Sequence, residues 1–168
     1  VQLRLDGARP GGNWGDGLHT FPYPTYLALR DRNTVFSGVS GQRIESANLL
    51  DDDGASSITV AMVAGNYFQV LGVRPHIGRL LGPDDDRNLN EHPLAVLQYD
   101  FWRSQYQGRQ QIVGETIRLN GAPFTVIGVA APAFEGTSVG VPTKVFVPIA
   151  MQPTIAPNAK ILVFIHGM

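Results

Sequence analysis

Gly114-Glu115-Thr116-Ile117-Arg118-Leu119-Asn120-Gly121-Ala122-Pro123-Phe124-Thr125-Val126-Ile127-Gly128-Val129 carries the strongest local signal in the chain. Two extended runs, Gly114 to Leu119 and Pro123 to Val129, flank Asn120-Gly121, a dipeptide that tolerates positive φ at both central positions of a type I′ turn. A tight β-hairpin is expected there. Gln42 to Leu50 and Ser56 to Ala64 form a second such pair around Asp51, Asp52, Asp53 and Gly54. In the latter run Ile58, Val60 and Met62 alternate with Thr59, Ala61 and Val63, so one face is buried and the other is nearly apolar too.

Working outward, helices are short and separated by strands. Pro24 suits the first turn of a helix running to about Asn33, with Tyr26 and Leu29 expected on one face against a sheet. Asn66 is placed to cap a short helix in which Tyr67, Phe68, Val70 and Leu71 supply an apolar surface, and Gly72 stops it. Leu94 to Gln98 reads as a strand and Asp100 to Gln107 as a helix ended by Gly108. Pro75, Gly78, Gly82 and Pro83 read as irregular chain. Lys144 to Pro148 and Lys160 to His166 read as strands that follow a Gly/Pro-rich loop from Ala131 to Thr143. Val1 to Thr20, rich in glycine, reads as a short strand passing into loop. Strands outnumber helices and hairpins recur, so the expected class is α+β.

Composition narrows the function. The chain has 168 residues, 43% hydrophobic and only 16% charged, enough to bury a core without staples. Nineteen glycines and twelve prolines exclude a long-helix bundle. The formal charge of -1, with no basic arm, argues against a nucleic-acid groove. With no cysteine, disulfides, thiolate metal sites and cysteine nucleophiles are excluded. The longest apolar stretch, near Ile161 to Ile165, falls far below the roughly 18 residues of a membrane span, which suggests a soluble piece of something larger.

Candidate chemistry is sparse. Gly136-Thr137-Ser138-Val139-Gly140 matches a nucleophile-elbow pattern, but that motif needs a strand before the serine and a helix after it. Pro132 and Pro142 deny it both, so a loop is expected. A hydrolase would need Ser138 with His76 or His92 as base. Asp51-Asp52-Asp53-Gly54 and Asp84-Asp85-Asp86 lack the alternating ligands of a cation loop, because contiguous aspartates point in different directions. The second cluster is expected to open a turn or short helix. His19, His76, His92 and His166 show no zinc-ligand spacing. Glu45, Glu91, Glu115 and Glu135 sit on different elements, so they nominate no acid-base pair. No catalytic, cofactor-binding or metal residue is therefore nominated, and no cofactor is expected. The aromatic residues are read mainly as core, with Trp102 and Phe134 as walls of a ligand pocket if one exists.

The ordered segments Tyr23-Pro24-Thr25-Tyr26-Leu27-Ala28-Leu29-Arg30-Asp31, Val63-Ala64-Gly65-Asn66-Tyr67-Phe68-Gln69-Val70-Leu71-Gly72-Val73 and Gly78-Arg79-Leu80-Leu81 resemble those of a known family. So do Ala95-Val96-Leu97-Gln98-Tyr99 with Phe101-Trp102, Ile112-Val113-Gly114-Glu115, Leu119-Asn120-Gly121 with Phe124 to Ala130, and Val145-Phe146-Val147-Pro148. Together they are similar to the extracytoplasmic core domain of MacB-type ABC transporter permeases, particularly duplicated orphan permeases, from about Phe21 to Met151. The resemblance implies a domain held outside the inner membrane, on the periplasmic side, between the first two transmembrane helices of a permease. It implies a porter-like βαβ subdomain, residues 1–65 plus 142–168, with a smaller α/β subdomain inserted at 66–141. Its implied partner is a cytoplasmic ABC ATPase acting through the rest of the permease, and it admits a periplasmic adaptor or other envelope protein and a permease dimer.

No Walker motif is present, so ATP hydrolysis is expected to reside elsewhere. The leading expectation is a non-enzymatic module that couples nucleotide-driven motion to export or to the action of a periplasmic partner. The alternatives are a small periplasmic serine hydrolase and a ligand-binding module. Gln69 and the polar residues from Glu135 to Thr143 are the expected transmission surface.

Overall fold

The computed structural model describes residues 20–51, 54–138, 140–158 and 162–167. The strand expected within Val1 to Thr20, His19, and the hairpin tip Asp52-Asp53 lie outside them. The elements in order are β1 (Thr20–Pro22), α1 (Tyr23–Arg32), β2 (Val39–Asp51), β3 (Gly54–Val63), α2 (Tyr67–Val70), β4 (Pro75–Gly78) and β5 (Leu94–Leu97). Then come α3 (Tyr99–Gln105), β6 (Thr116–Leu119), β7 (Ala122–Ala130), β8 (Val145–Pro148), α4 (Gln152–Ile155) and β9 (Leu162–Gly167). Short 3-10 turns stand at Pro83–Asp86, Gln110–Ile112 and Ile149–Met151. This is a mixed α+β fold of mostly short strands, as the sequence patterns require. Among the described residues no helix is long and apolar enough to cross a membrane.

The strands join in one sheet of order β1-β9-β2-β3-β8-β5-β7-β4, with β6 bridging β2 and β7. The β2–β3 hairpin is its backbone, paired without a break from Gln42↔Val63 to Asp51↔Gly54. β3 runs parallel to β8, β8 antiparallel to β5, and β5 parallel to β7. On that path β4, β5 and β7 occupy one end and β1, β9, β2, β3 and β8 the other, while β6 joins the two through β2 and β7.

Alternation along β3 splits the core into two layers. Val60 and Met62 pack with Tyr26, Phe101, Trp102, Phe124 and Ile149 on one face. Ala61 and Val63 pack with Tyr67, Phe68, Leu81, Val96 and Phe146 on the other. Both faces are covered, which is why β3 reads as nearly continuous apolar sequence. The Asn120-Gly121 turn has φ 51° and 82° at its two central residues, the expected type I′ signs. Asn120 also accepts from Asn48 N at 2.8 Å and donates to Ile155 O at 2.9 Å, so the turn is stitched to β2 and α4.

Three local expectations need correction. Leu29 does not share the buried face of Tyr26. It is 37% exposed, and Tyr23 and Leu27 pack on the core instead. Asn66 makes no capping hydrogen bond to α2. Its side chain instead accepts from the Tyr26 hydroxyl at 3.2 Å and donates to Val39 O at 2.9 Å, so its amide oxygen and nitrogen are engaged in tertiary bonds to α1 and β2. Pro75 to Gly78 is an edge strand, where a proline without an N–H is tolerated, rather than irregular chain.

Candidate interaction surface

Immediately after β3 the chain turns through Ala64, Gly65 and Asn66 into α2. A Cβ on Gly65 would lie 2.6 Å from Gly82 O and 2.7 Å from Pro83 Cα, so only glycine fits between the two turns. The rings of Tyr67 and Phe68 point into the sheet, 5.3 Å apart edge to face. Phe146 of β8 packs edge-on to Phe68 at 5.3 Å, and Phe134 stacks on Phe146 at 5.6 Å. Phe134 also lies 5.9 Å from Phe68 and 6.3 Å from Tyr67. Four aromatic rings therefore join α2, β8 and the loop after β7 into one packed unit.

Hydrogen bonds fasten the same loop. The Tyr67 hydroxyl donates to Gln42 Oε1 at 2.9 Å, and with its single proton so used it receives from Thr137 Oγ1 at 3.2 Å. Gln42 Nε2 donates to Ser138 Oγ at 3.2 Å. Burial pushes the Tyr67 phenol up to about 12, against the opposing hydrogen bonds of Thr137, so it stays a neutral donor. The neck of the loop is closed by Thr143 N donating to Glu135 O at 3.0 Å.

The surface left outside this unit is small and specific. Gln69 on α2 is exposed, as are Glu135, Gly140 and Pro142, and Val141 is 42% exposed. Thr137 and Ser138 are half-buried and engaged, and Thr143 is buried. Of the polar residues expected to form a transmission surface, Gln69 and Glu135 project freely, while the other three hold the loop in place. Gln42 was not among the sequence candidates. Its signal was a polar residue inside the hairpin run, and it follows the buried Val39, Ser40 and Gly41 in β2.

The other candidates are placed apart. The His76 ring packs against Tyr99 at 4.9 Å and Trp102 at 5.4 Å, among the residues of the first layer, whereas Ser138 attaches to the second. His92 precedes β5, near Asp85. Ser138 and His76 are thus not brought together. Trp102 and Phe134 belong to opposite layers, so they do not wall one pocket. A mainly apolar groove of about 440 Å³ lies instead beside α1, lined in part by Thr25, Leu29, Arg32, Val35 and Phe36.

The aspartates of the 3-10 turn diverge as their contiguity requires. Asp84 pairs with Arg87 at 2.5 Å. Asp85 takes a two-pronged bond from Arg79 at 2.6 and 2.9 Å. Burial would raise the Asp85 acid, but Arg79 and the Gly82 N–H outweigh it and hold the group below the usual aspartate range. Asp86 turns inward, where its carboxylate accepts two backbone N–H groups.

One mixed sheet packed on both faces, α1 and α3 on one and the short α2 with its loops on the other, sets the frame for comparison. The family described as the MacB-like periplasmic core domain matches residues 3–164. The chain belongs to that family. Among solved structures, the periplasmic region of MacB from Actinobacillus actinomycetemcomitans superposes with a TM-score of 0.70 at 20% identity, over 94% of this chain and 71% of that one. The extracellular domain of the noncanonic ABC-type transporter YknZ from Gram-positive bacteria gives 0.66 at 17% identity, over 88% of this chain and 73% of that one. No curated protein matches the chain in sequence. At such identities the structural likeness fixes the fold of this MacB-like domain, and the family match fixes its kind, a periplasmic domain of a transporter permease.

Proposed function

We propose that this MacB-like domain is a non-enzymatic coupling and interaction module on the periplasmic side of the inner membrane. It would serve a permease whose ATP hydrolysis is carried out by a cytoplasmic ABC ATPase. Motion generated at the ATPase reaches the domain through the rest of the permease and is presented to an exported substrate, an adaptor or another envelope protein. Dimerisation of the permease would double that surface. Residues 1–65 and 142–168 are read as the porter-like part and 66–141 as the inserted part; β1, β9, β2, β3 and β8 of the first and β4, β5 and β7 of the second lie towards opposite ends of the sheet.

The observation that carries this reading is the shared anchoring of α2 and the 131–144 loop. Relaying motion requires elements that move as one body. Here Tyr67, Phe68, Phe134 and Phe146 pack together while Gln42 binds both Tyr67 and Ser138, leaving Gln69, Glu135 and Val141 on the outside. The test is made in the full-length permease. Gln69→Arg, Glu135→Arg and Val141→Asp should impair transport or signalling while the partner subunit still binds ATP, because the lesion lies in transmission. Full cellular function in all three folded variants would remove the support for this surface.

A further inference from the structure

Asp86 closes the turn Pro83–Asp86, and its carboxylate bridges two separate elements. Oδ1 accepts Ala150 N at 2.8 Å, and Oδ2 accepts Gly65 N at 3.1 Å. Ala150 follows β8 and Gly65 follows β3, so one carboxylate ties together the same ends of two neighbouring parallel strands. Gly65 launches α2 and is wedged against Gly82 and Pro83. Asn66, the next residue, is fastened to Tyr26 and Val39. The base of the α2 surface therefore rests on this carboxylate.

Tyr23, Tyr26 and Arg30 of α1 face Asp86, and Asp85 faces it from its own turn. The ends of β3 and β8 present backbone N–H groups to it. The cations nearby are committed elsewhere, Arg30 to Asp31 at 2.7 Å and Arg79 to Asp85. Burial pushes the Asp86 acid up to about 6 against the two N–H bonds and the more distant Arg30, with Asp85 adding to the rise.

A carboxylate accepts at both oxygens, whereas a carboxylic acid has turned one of them into a donor. The longer bond, to Gly65, is the one to yield. We propose that Asp86 is a protonation-controlled clasp at the base of α2. Ionised, it holds Gly65 and Ala150 together; protonated on Oδ2, it keeps Ala150 and releases Gly65, loosening α2 and the surface it carries. As regulation this rests on the contact role proposed above, but the clasp itself is tested without it.

The test is an NMR titration of the whole chain from pH 7.5 to 4.5, following the Asp86 side-chain carbon and the Gly65 and Ala150 amides. The Gly65 amide shift should move with the same midpoint as the Asp86 carboxyl. Its exchange protection, corrected for the intrinsic rate, should fall about tenfold or more while Ala150 keeps its own. Asp86→Asn, which offers one acceptor oxygen at any pH, should hold Gly65 in the low-pH condition throughout. If that variant does not fold, the wild-type titration decides alone. A Gly65 amide indifferent to the Asp86 midpoint, or an Asp86 carboxyl titrating at the ordinary aspartate value, overturns the clasp. An intact clasp beside silent α2 surface variants would instead overturn only the contact role.

Discussion

The Tyr67 phenol donates to Gln42 Oε1 at 2.9 Å, with both side chains shut off from solvent. This one bond joins α2 to the interior of the long hairpin, and through Thr137 and Ser138 it holds the loop that completes the candidate surface. Tyr67→Phe keeps the ring packing but strands the Gln42 carbonyl. The expected cost is about 1 to 3 kcal/mol, the usual penalty for a buried acceptor left alone. Chemical denaturation measures it, and limited proteolysis should show faster cutting between Gly136 and Pro142. An unchanged midpoint with unchanged cutting would mean that the ring alone fixes the loop.

Asn120 and Gly121 are separable. Gly121→Val forces a branched residue to φ 82° and should destabilise the domain by about 1 to 3 kcal/mol. Asn120→Ala loses positive-φ tolerance together with the bonds to Asn48 and Ile155, so it should cost at least as much. Thermal melts of the two variants give the comparison. If Asn120→Ala proved harmless, the stitching of the turn to β2 and α4 would contribute nothing.

Phe68 and Gln69 are neighbours with opposite fates. Phe68 is 1% exposed at the centre of the aromatic unit, and Phe68→Ala should cost about 3 to 5 kcal/mol. Gln69→Ala should stay within about 0.5 kcal/mol, since its side chain is on the surface. Equal losses measured by denaturant unfolding would contradict the burial of one and the freedom of the other.

The Asp86 acid, at about 6 in the folded chain against 3.8 ordinarily, makes stability depend on pH in a definite direction. The folded state binds the proton more tightly than the unfolded chain, so the stabilisation is complete below about pH 3.8 and is lost as pH rises through about 6, on the order of 3 kcal/mol at most. Relief of a buried charge outweighs the single bond to Gly65, so global stability can rise while α2 loosens. Asp85, lowered by Arg79, contributes in the opposite sense, so the quantity to measure is the difference between wild type and Asp86→Asn. That difference should change between about pH 4.5 and 6.5 and level off above; parallel curves over that interval would show that Asp86 titrates normally.

Hairpins, short helices and the mixed class were legible because their causes are local. Asn120-Gly121 sets its own turn, alternation in β3 reports two buried faces, Gly72 stops α2 with positive φ, and Gln107 and Gly108 together stop α3. The ordered motifs likewise pointed to the family that the match over residues 3–164 establishes. The strand at Pro75–Gly78 was hidden because an edge strand needs neither alternation nor a full set of N–H donors. What only the tertiary structure decided is which side chain meets which. Gln42 and Tyr67, Asp86 with Gly65 and Ala150, and Phe134 on Phe146 are distant along the chain, and nothing in their local sequence encodes the partner. The register of β2 on β3 and of β3 on β8 brings them together. Pairing by register is a cooperative property of the whole sheet, and a window of neighbouring residues does not contain it.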